Sequence, residues 1–300
     1  MPDDQSRQSF LGAHSDDFLK ATTAGIIGLS GGGSHVCQHL AHIGVGNYVI
    51  VDPQAIEDTN LHRLVGGTAA DVEARTTKVN IAERLIRGVR PDAHIEACED
   101  DWRNVAESLR NCDVVFGCVD SYKDRNELER QVRRYLTPYI DIGMDVGKAA
   151  SAYHISGQAA LSIPGGACLW CMGILREQLL AEEAADYGNA GIRQQVVWPN
   201  GVLASSAVGM FISLILPWAP KLMPILLEYD GNRGTIVPSL KLEYMPKTCL
   251  HFAGDTDLGD PFWSITRETS YGSKQANRSA AGRWPLGNRR CARRSGKCHH

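Results

Sequence analysis

Five small residues near the start of the chain are spaced to bind phosphate. They belong to the sequence GLSGGGS and are Gly28, Ser30, Gly31, Gly33 and Ser34. Glycine lets backbone N–H groups approach phosphate oxygens closely, and a helix that follows presents unpaired donors and a partial positive charge. Asp52 ends the next apolar run, 19 positions after Gly33. A carboxylate there can accept hydrogen bonds from both ribose hydroxyls, so the pattern predicts a nucleotide site.

The nucleotide is predicted to be a triphosphate. A dinucleotide fingerprint has the spacing G-x-G-x-x-G, and Ser30 stands where its middle glycine would be. Asn60, Arg63 and Lys78 follow Asp52 and offer several donors to phosphate oxygens. The alternative is a Rossmann oxidoreductase that binds NAD or FAD, which would need a flat pocket for nicotinamide or flavin.

An aspartate at a second strand end is a candidate magnesium ligand. Asp120 follows the apolar run 113–119, which is typical of a buried parallel strand. Ligands of open parallel sheets bind beyond the carboxyl ends of the strands, so Asp52 and Asp120 are expected to face one crevice. Mg²⁺ prefers one or two carboxylates together with substrate phosphates. The alternative role for Asp120 is the N-cap of a helix predicted over 123–136. Cys118 is interpreted as a small buried strand residue.

A cysteine pair later in the chain indicates a metal site. Cys168 and Cys171 form a C-x-x-C motif after a Gly-Gly turn, and Cys249 and His251 follow at a plausible distance. Two thiolates on such a turn suit one tetrahedral zinc ion. The same spacing also fits a redox pair or reduced thiols with no ligand, and these alternatives stay open.

The elements that must hold these residues alternate between strands and helices. Predicted strands end at 27 and cover 48–51, 94–97, 113–119, 139–143 and, as one or two antiparallel strands, 153–163. Predicted helices cover 36–43, 75–88, 102–110, 123–136 and 199–216, and 229–234 is a predicted hairpin turn. This order predicts the α/β class: a Rossmann-like, doubly wound sheet, mostly parallel, with some antiparallel strands toward the C-terminal side.

The chain resembles the ThiF/MoeB/HesA family, the ATP-dependent adenylyltransferases related to ubiquitin-activating enzymes. The resemblance runs from Arg7 to about Leu216. It rests on the glycine turn 28–34, Asp52, the motif Asn-Leu-His-Arg at 60–63, Lys78, and the motif Cys-Val-Asp-Ser-Tyr-Lys-Asp-Arg at 118–125. Ser30 replaces a usual glycine, although its backbone N–H remains a donor.

The resemblance implies carboxylate adenylation. The C-terminal carboxylate of a small ubiquitin-like or sulfur-carrier protein would attack the α-phosphorus of ATP and release pyrophosphate. Asn60, Arg63 and Lys78 would contact the triphosphate, Asp120 would hold Mg²⁺, and Arg7 would reach the γ-phosphate bound by the partner subunit of a homodimer. Relatives that activate a small molecule or the carboxyl group of a tRNA base share these ATP residues, so the acceptor stays open.

The chain is predicted to have three parts. Residues 1–21 are a polar lead-in that would serve as a dimer arm, and residues 22–266 are the adenylation domain. The resemblance implies that residues at about 175–200 are a crossover loop that would cover the tail of the substrate protein. This loop contains no cysteine, so we expect the enzyme to stop at the adenylate without a thioester. Residues 267–300 form a tail with nine Lys or Arg and one acidic residue, for which composition predicts disorder. A solvated tail is favoured over a nucleic-acid arm.

Composition is typical of a soluble globular protein, and no membrane partner is expected. The chain is 43% hydrophobic and 22% charged, and its first twenty residues do not resemble a signal peptide. The apolar run 202–216 contains three serines and a glycine and is shorter than the roughly 20 residues of a membrane span, so a buried helix is predicted. Nine cysteines without a secretory signal indicate reduced thiols in the cytoplasm.

Overall fold

The computed structural model describes residues 6–149, 152–185, 194–219, 221–246, 248–252 and 258–259. All of them lie in the first of two compact units of the chain, Met1–Ile265. The predicted tail 267–300 lies outside the described residues, as does 186–193 of the predicted crossover loop.

The described residues form one eight-stranded sheet flanked by helices. Its strand order is β3-β2-β1-β4-β5-β6-β7-β8. Strands β1 to β5 pair in parallel, and β5 to β8 pair antiparallel. The predicted fold class is therefore confirmed, including the antiparallel strands on the C-terminal side. The strands are β1 (Thr23–Ile27), β2 (Asn47–Val51), β3 (His94–Cys98), β4 (Val114–Gly117), β5 (Tyr139–Ala149), β6 (Ala152–Ser162), β7 (Leu226–Asp230) and β8 (Thr235–Pro238).

Seven α-helices occur in the described part of the chain. They are α1 (Ser15–Ala21), α2 (Gly31–Ile43), α3 (Ala69–Glu73), α4 (Lys78–Val89), α5 (Tyr122–Arg134), α6 (Glu177–Ala185) and α7 (Val197–Ile215). Short 3₁₀ helices cover Ser6–Leu11, Asp58–Asn60, Ala106–Asn111 and Leu240–Glu243.

Several helix boundaries differ from the predictions for identifiable reasons. The helix α4 begins at Lys78 and not at 75, because the Thr77 side chain caps it by accepting from the N–H of Asn80. The helix α7 begins before Pro199, since a proline in the first helical turn removes an N–H that would have no partner in the helix. The predicted helix 102–110 is only a 3₁₀ turn. The helix α6 was not predicted because it buries none of its residues and so lacks an apolar period.

The sheet separates two apolar cores. Alternate residues of β4 face opposite sides, so Val114 and Phe116 enter one core and Val115 the other. The first core includes α2 and α7, where the rings of Phe116 and Phe211 meet edge to face at 5.9 Å. Burying a side chain such as Phe211 stabilises the fold by about 1.5–3 kcal/mol.

The helix α7 is long and apolar enough to cross a membrane by length and composition, with a mean hydropathy of 1.3 in its most apolar window. More than half of that window, 56%, is buried inside the protein. The predicted buried helix is therefore confirmed.

Candidate functional site

A crevice lies at the carboxyl ends of two neighbouring strands, β1 and β4, in the middle of the sheet. The chain leaves β1 toward β2 on one side and leaves β4 toward β5 on the other. Backbone hydrogen bonds hold the strand ends together. Gly28 N, just after β1, donates to Val51 O at the end of β2 at 2.9 Å, and Cys118 N, just after β4, donates to Ile27 O at the end of β1 at 2.8 Å. Such a reversal of strand order is where open α/β sheets bind ligands.

Two cavities meet at this crevice. The first, which we call the β2-side cavity, has a volume of about 250 Å³. The second, the β5-side cavity, has a volume of about 230 Å³. Ser30, Cys118, Val119 and Asp120 line both. The predicted residues that line at least one cavity are Gly28, Ser30, Gly31, Asp52, Lys78 and Asp120, so Asp52 and Asp120 face the same crevice as expected.

The glycine turn is shorter than predicted because α2 already begins at Gly31. Gly28 has a φ of 86°, and a Cβ there would lie 2.5 Å from the Cys118 carbonyl oxygen. A Cβ on Gly33 would overlap the carbonyl oxygen of Gly28. At these two positions glycine is required by the packing of the helix on the strands. Gly32, which the sequence analysis did not single out, lines the β5-side cavity. The first-turn N–H groups of α2 face this region and can bind an anion.

Asp52 is 5% exposed and holds two backbone segments of the β2-side cavity. Its Oδ2 accepts from Leu29 N at 2.8 Å, and its Oδ1 accepts from Gln54 N at 2.9 Å. Each carboxylate oxygen has a second lone pair, so Asp52 can still accept from ribose hydroxyls.

Lys78 is also 5% exposed and opens α4. One of its three N–H donors goes to Gln54 Oε1 at 2.6 Å, a neutral acceptor. A buried ammonium group is unfavourable unless an anion compensates its charge. The arrangement therefore suits a phosphate in the β2-side cavity.

Four predicted residues lie behind the cavities and do not line them. Asn60 is buried, and its Oδ1 accepts from Glu57 N at 3.1 Å, which caps the turn Asp58–Asn60. Ser34 accepts from Val65 N at 3.0 Å. Arg63 reaches the crevice through Ser30, whose hydroxyl accepts from Arg63 Nε. The fourth residue is Gly33.

Asp120 is exposed on the rim of both cavities. Its Oδ1 accepts from Gln195 Nε2 at 3.0 Å. The predicted alternative role as N-cap is wrong, because α5 is capped by Ser121, whose hydroxyl accepts from Asp124 N at 2.9 Å. A carboxylate on the rim suits Mg²⁺ held jointly with substrate phosphates.

The described part of the predicted crossover loop contacts the start of α5. Glu183 on α6 accepts from Tyr122 N at 3.1 Å and from Lys123 N at 3.0 Å. These N–H groups belong to the first turn of α5, where a negative charge is stabilised. Together with Gln195, this contact brings both described ends of the loop next to Asp120.

The sequence analysis assigned no role to a buried ion pair beside the β5-side cavity. Arg125, 7% exposed, pairs with the fully buried Asp141 and donates to Ile142 O at 3.3 Å. Burial raises the pKa of Asp141 above its ordinary value, while the charge of Arg125 opposes this shift. Gln158 and Asn200 line the same cavity. The spacing of Arg125 after Asp120 was a usable signal, whereas nothing in the local sequence marked Asn200.

Cys118 lies one residue beyond the end of β4 and is half-buried, not fully buried within the strand as predicted. Its thiol borders both cavities. Burial raises the pKa of this thiol well above its ordinary value, so it is a poor nucleophile at neutral pH.

The four predicted zinc ligands lie together. One ligand atom of each of Cys168, Cys171, Cys249 and His251 lies within 4.8 Å of all the others. The His251 Nδ1 is 3.5, 3.4 and 4.0 Å from the sulfurs of Cys168, Cys171 and Cys249, and the two C-x-x-C sulfurs are 3.6 Å apart. A tetrahedron with Zn–S near 2.3 Å has edges of about 3.8 Å, so the donor set fits zinc.

Arg7 belongs to the 3₁₀ turn Ser6–Leu11 and is exposed. It lines neither cavity of its own chain. Its contribution to a partner subunit stays a prediction.

The sequence of the chain is similar to sequences of known proteins. The sequence model of the ThiF family matches residues 3–251. The chain is 30% identical over 164 residues to a SAMP-activating enzyme E1 from Haloferax volcanii, an alignment that covers 54% of this chain and 57% of the relative. It is 33% identical over 124 residues to a molybdopterin-synthase adenylyltransferase from Haemophilus influenzae, covering 41% of this chain and 50% of the relative. The chain therefore spans about half the length of these curated relatives.

The fold also matches a solved structure. The structure of Escherichia coli MccB with ATP aligns with a TM-score of 0.63 and 19% identity, covering 78% of this chain and 67% of that chain. At this identity the likeness shows the fold alone.

Proposed function

The chain belongs to the ThiF family, and we propose that it uses ATP to adenylate the C-terminal carboxylate of a small ubiquitin-like or sulfur-carrier protein. The observation that carries this proposal is the meeting of two cavities at Ser30 and Asp120. The β2-side cavity contains Asp52, which can accept from ribose hydroxyls, and the buried ammonium group of Lys78. The β5-side cavity beside it is lined largely by polar side chains.

The β2-side cavity would hold the nucleotide. Asp52 would accept from the ribose hydroxyls, and Lys78 and the first-turn N–H groups of α2 would donate to the phosphates. Arg63 would add a guanidinium donor next to Ser30. These residues act by positioning and by compensating charge, which are the main contributions to phosphoryl-group chemistry.

Asp120 would provide the protein carboxylate for Mg²⁺. When bound, Mg²⁺ compensates the negative charge of the triphosphate. Because Asp120 lies on the rim of both cavities, its carboxylate is placed where the triphosphate and the incoming acceptor would meet. The bond from Gln195 uses one lone pair of Asp120 Oδ1, and a carboxylate oxygen has two.

The β5-side cavity would receive the acceptor carboxylate. Gln158, Gln195 and Asn200 line it with amide donors, and the Arg125–Asp141 pair fixes one wall. A carboxylate oxygen would form a bond to the α-phosphorus while the bond from that phosphorus to pyrophosphate breaks. The products would be an acyl-adenylate and pyrophosphate.

The names of the relatives support this choice of substrate class, since one is a SAMP-activating enzyme and another an adenylyltransferase. We also propose that the enzyme is cytoplasmic, because the seven described cysteines are all free thiols, as is usual in a reducing compartment. Two alternatives stay open. One is activation of a carboxyl group on a small molecule or a tRNA base through the same ATP residues, and the other is oxidoreductase chemistry with NAD or FAD.

We also propose a homodimer in which Arg7 completes the site of the partner subunit. Arg7 is exposed and lines neither cavity of its own chain, which leaves it available to a second copy. Mixing inactive Arg7→Ala chains with inactive Asp120→Asn chains tests this. Recovered activity is expected, because one site of each mixed dimer keeps both residues; no recovery would contradict the dimer role.

We further propose that the Cys168, Cys171, Cys249 and His251 cluster holds a structural zinc ion. The spacing of its donor atoms supports this assignment. None of its four residues lines either cavity, so its role would be to stabilise the fold.

The decisive experiment is ATP–pyrophosphate exchange. We expect exchange that needs ATP, Mg²⁺ and a carrier protein with a free Gly-Gly C-terminus. The matched control is the same carrier with an amidated C-terminus, which keeps every other contact. Exchange with a small carboxylic acid or an RNA, and none with any carrier, would favour the alternative acceptors. Binding of NAD in place of ATP would favour the oxidoreductase.

A further inference from the structure

One face of the helix α5 contacts residues that flank Cys168 and Cys171 in the chain. Asn126, Glu129 and Arg133 lie three and four residues apart and so share this face. We propose that these three residues position the metal ligands, and that zinc affinity depends on them. This inference rests on the metal centre proposed above.

Glu129 and Arg133 hold the peptide groups on either side of Cys168. Arg133 donates from Nη2 to the carbonyl oxygen of Ala167 at 2.9 Å. Glu129 accepts from the N–H of Leu169 at 3.0 Å to Oε1 and 3.2 Å to Oε2. The residue before Cys168 is thus held by one member of the pair and the residue after it by the other. This fixes the direction of the Cys168 side chain.

The two charged groups are fully buried and oriented by one serine. Both have 0% exposure, and Arg133 Nε lies 3.5 Å from Glu129 Oε1. Ser162 on β6 accepts from Arg133 at 3.0 and 2.7 Å and donates to Glu129. A buried ion pair is often no more stabilising than apolar side chains of the same volume. Its specific contribution here is directional bonding to the turn that carries Cys168.

Asn126 acts on the histidine ligand through a tryptophan. The Trp170 Nε1 donates to Asn126 Oδ1 at 2.8 Å, and the Trp170 ring stacks on the His251 ring with centroids 5.9 Å apart. The bond to Asn126 fixes the indole, and the indole limits rotation of the imidazole. His251 Nδ1 therefore keeps facing the three sulfurs.

Arg133 also contacts the segment that supplies the last two ligands. Its guanidinium carbon lies 4.9 Å from the centre of the Phe252 ring. Phe252 follows His251 directly and is buried with Cys168 and Cys249. One helix thus contacts both segments that donate ligands, which are 78 or more residues apart in sequence.

The test is zinc affinity, measured by competition with a chromogenic chelator. The variants are Asn126→Ala, Trp170→Phe and Glu129→Gln. Loss of groups that orient metal ligands weakens metal binding by about 10–100-fold, and we expect this range. Trp170→Phe keeps an aromatic ring near His251 but removes the indole N–H and part of the stacked area. If Asn126 acts only through its bond to Trp170, the double variant should lose no more affinity than Trp170→Phe alone.

The matched control is Ile86→Ala. Ile86 is fully buried in the core on the other face of the sheet, so its truncation should lower the stability of the fold. Zinc affinity should stay unchanged in this control. The visible spectrum of the cobalt-substituted protein adds a readout of ligand geometry, which should change in Trp170→Phe and not in Ile86→Ala.

The outcomes separate the two proposals. Wild-type protein that binds no zinc would overturn the metal centre itself. Zinc binding by wild type together with unchanged affinity and cobalt spectra in Asn126→Ala and Trp170→Phe would overturn the positioning role alone. These two variants decide the matter even if Glu129→Gln does not fold, because Asn126 and Trp170 are only partly buried.

Discussion

Arg63 donates a hydrogen bond from Nε to the hydroxyl of Ser30 across 3.2 Å. A second bond, from Val65 N to the Ser34 hydroxyl at 3.0 Å, lies alongside it. Two serines at the start of α2 therefore hold the loop that follows Asp52. Ser30 is the position at which this chain departs from the usual glycine of its family, so the departure adds a contact to a residue of the proposed ATP site.

Replacement of Ser30 by Ala should weaken ATP binding. Arg63 keeps its bond to the Thr59 carbonyl and loses only the one that fixes its Nε near the glycine turn. A partly exposed bond of this kind contributes about 1 kcal/mol, which corresponds to a roughly fivefold higher KM for ATP. Steady-state kinetics of pyrophosphate exchange give this value. The control is Ser206→Ala, which removes a hydroxyl bonded within α7; an equal rise in KM there would contradict the assignment.

Asp120→Asn should abolish pyrophosphate exchange and leave the melting temperature unchanged. The amide has the size of the carboxylate but lacks the charge that Mg²⁺ requires, and the exposed position adds little packing. Asp92→Asn, an exposed aspartate in the turn before β3, is the matched control and should be fully active. Undiminished exchange in Asp120→Asn would remove Asp120 from the site.

Lys78→Met should weaken ATP binding without lowering the stability of the fold. Methionine keeps the length and burial of the side chain, so ATP affinity should fall by about 10–100-fold through loss of a charged donor. The free energy of unfolding should stay equal or increase, because a buried ammonium group with a neutral acceptor is replaced by an apolar group. Calorimetry of ATP binding and urea unfolding measure the two quantities. Lower stability with unchanged ATP affinity would show that Lys78 is purely structural.

Zinc removal should lower the stability of the fold. The purified protein should contain about one zinc per chain, and Cys168→Ser should lose it together with stability. Treatment with a chelator should lower Tm by more than about 5 °C, since each kcal/mol moves Tm by about 2–4 °C in a domain of this size. The control is Cys98→Ser, a half-buried cysteine on β3 outside the cluster. Metal-free protein of full stability would favour reduced thiols without a ligand.

Local sequence patterns predicted the parts of the fold that depend on local order. The glycine turn, the strand that ends at Asp52 and the apolar run before Asp120 were enough to bring both acids to one crevice, because parallel strands share their carboxyl edge. The four proposed metal ligands were also predicted from the sequence, since cysteine spacing carries chemistry directly, and they do lie together.

The residues that were missed depend on contacts distant in sequence. Asn200 lines the β5-side cavity only because α7 packs beside Gly31, where a Cβ would lie 2.5 Å from the Asn200 Nδ2. Asn60 was predicted to contact the triphosphate; its Oδ1 accepts in a local cap, and a contact of its amide N–H groups with phosphate stays a prediction. A polar residue in a motif can serve either the ligand or the backbone, and sequence alone does not distinguish the two.

The crossover loop offers no thiol for a thioester, but Cys118 has to be considered because it borders both cavities. A thioester needs a thiolate that is exposed and within reach of the activated carbonyl. The pKa of the Cys118 thiol is raised well above its ordinary value by burial, so almost none of it is ionised near neutral pH. The thiols of Cys37 and Cys112 are buried, and the pKa of each is raised to about 12. Burial also raises the pKa of the Cys98 thiol, and Cys98 lines neither cavity. Cys168, Cys171 and Cys249 are assigned to zinc, while Cys291 and Cys298 lie outside the described residues.

We therefore predict that the enzyme stops at the acyl-adenylate. Incubation with ATP, Mg²⁺ and its carrier should give no reductant-sensitive band at the summed mass on a non-reducing gel. Cys118→Ser should keep most of its exchange activity, since the serine fits the same space, and alkylation of Cys118 in the wild type should become fast only at strongly alkaline pH. A band that disappears both with reductant and in one Cys→Ala variant would overturn this prediction and identify the nucleophile. The Cys→Ala variants to be tested include Cys291→Ala and Cys298→Ala. The experiment therefore also tests the two thiols of the tail, which lie outside the described residues.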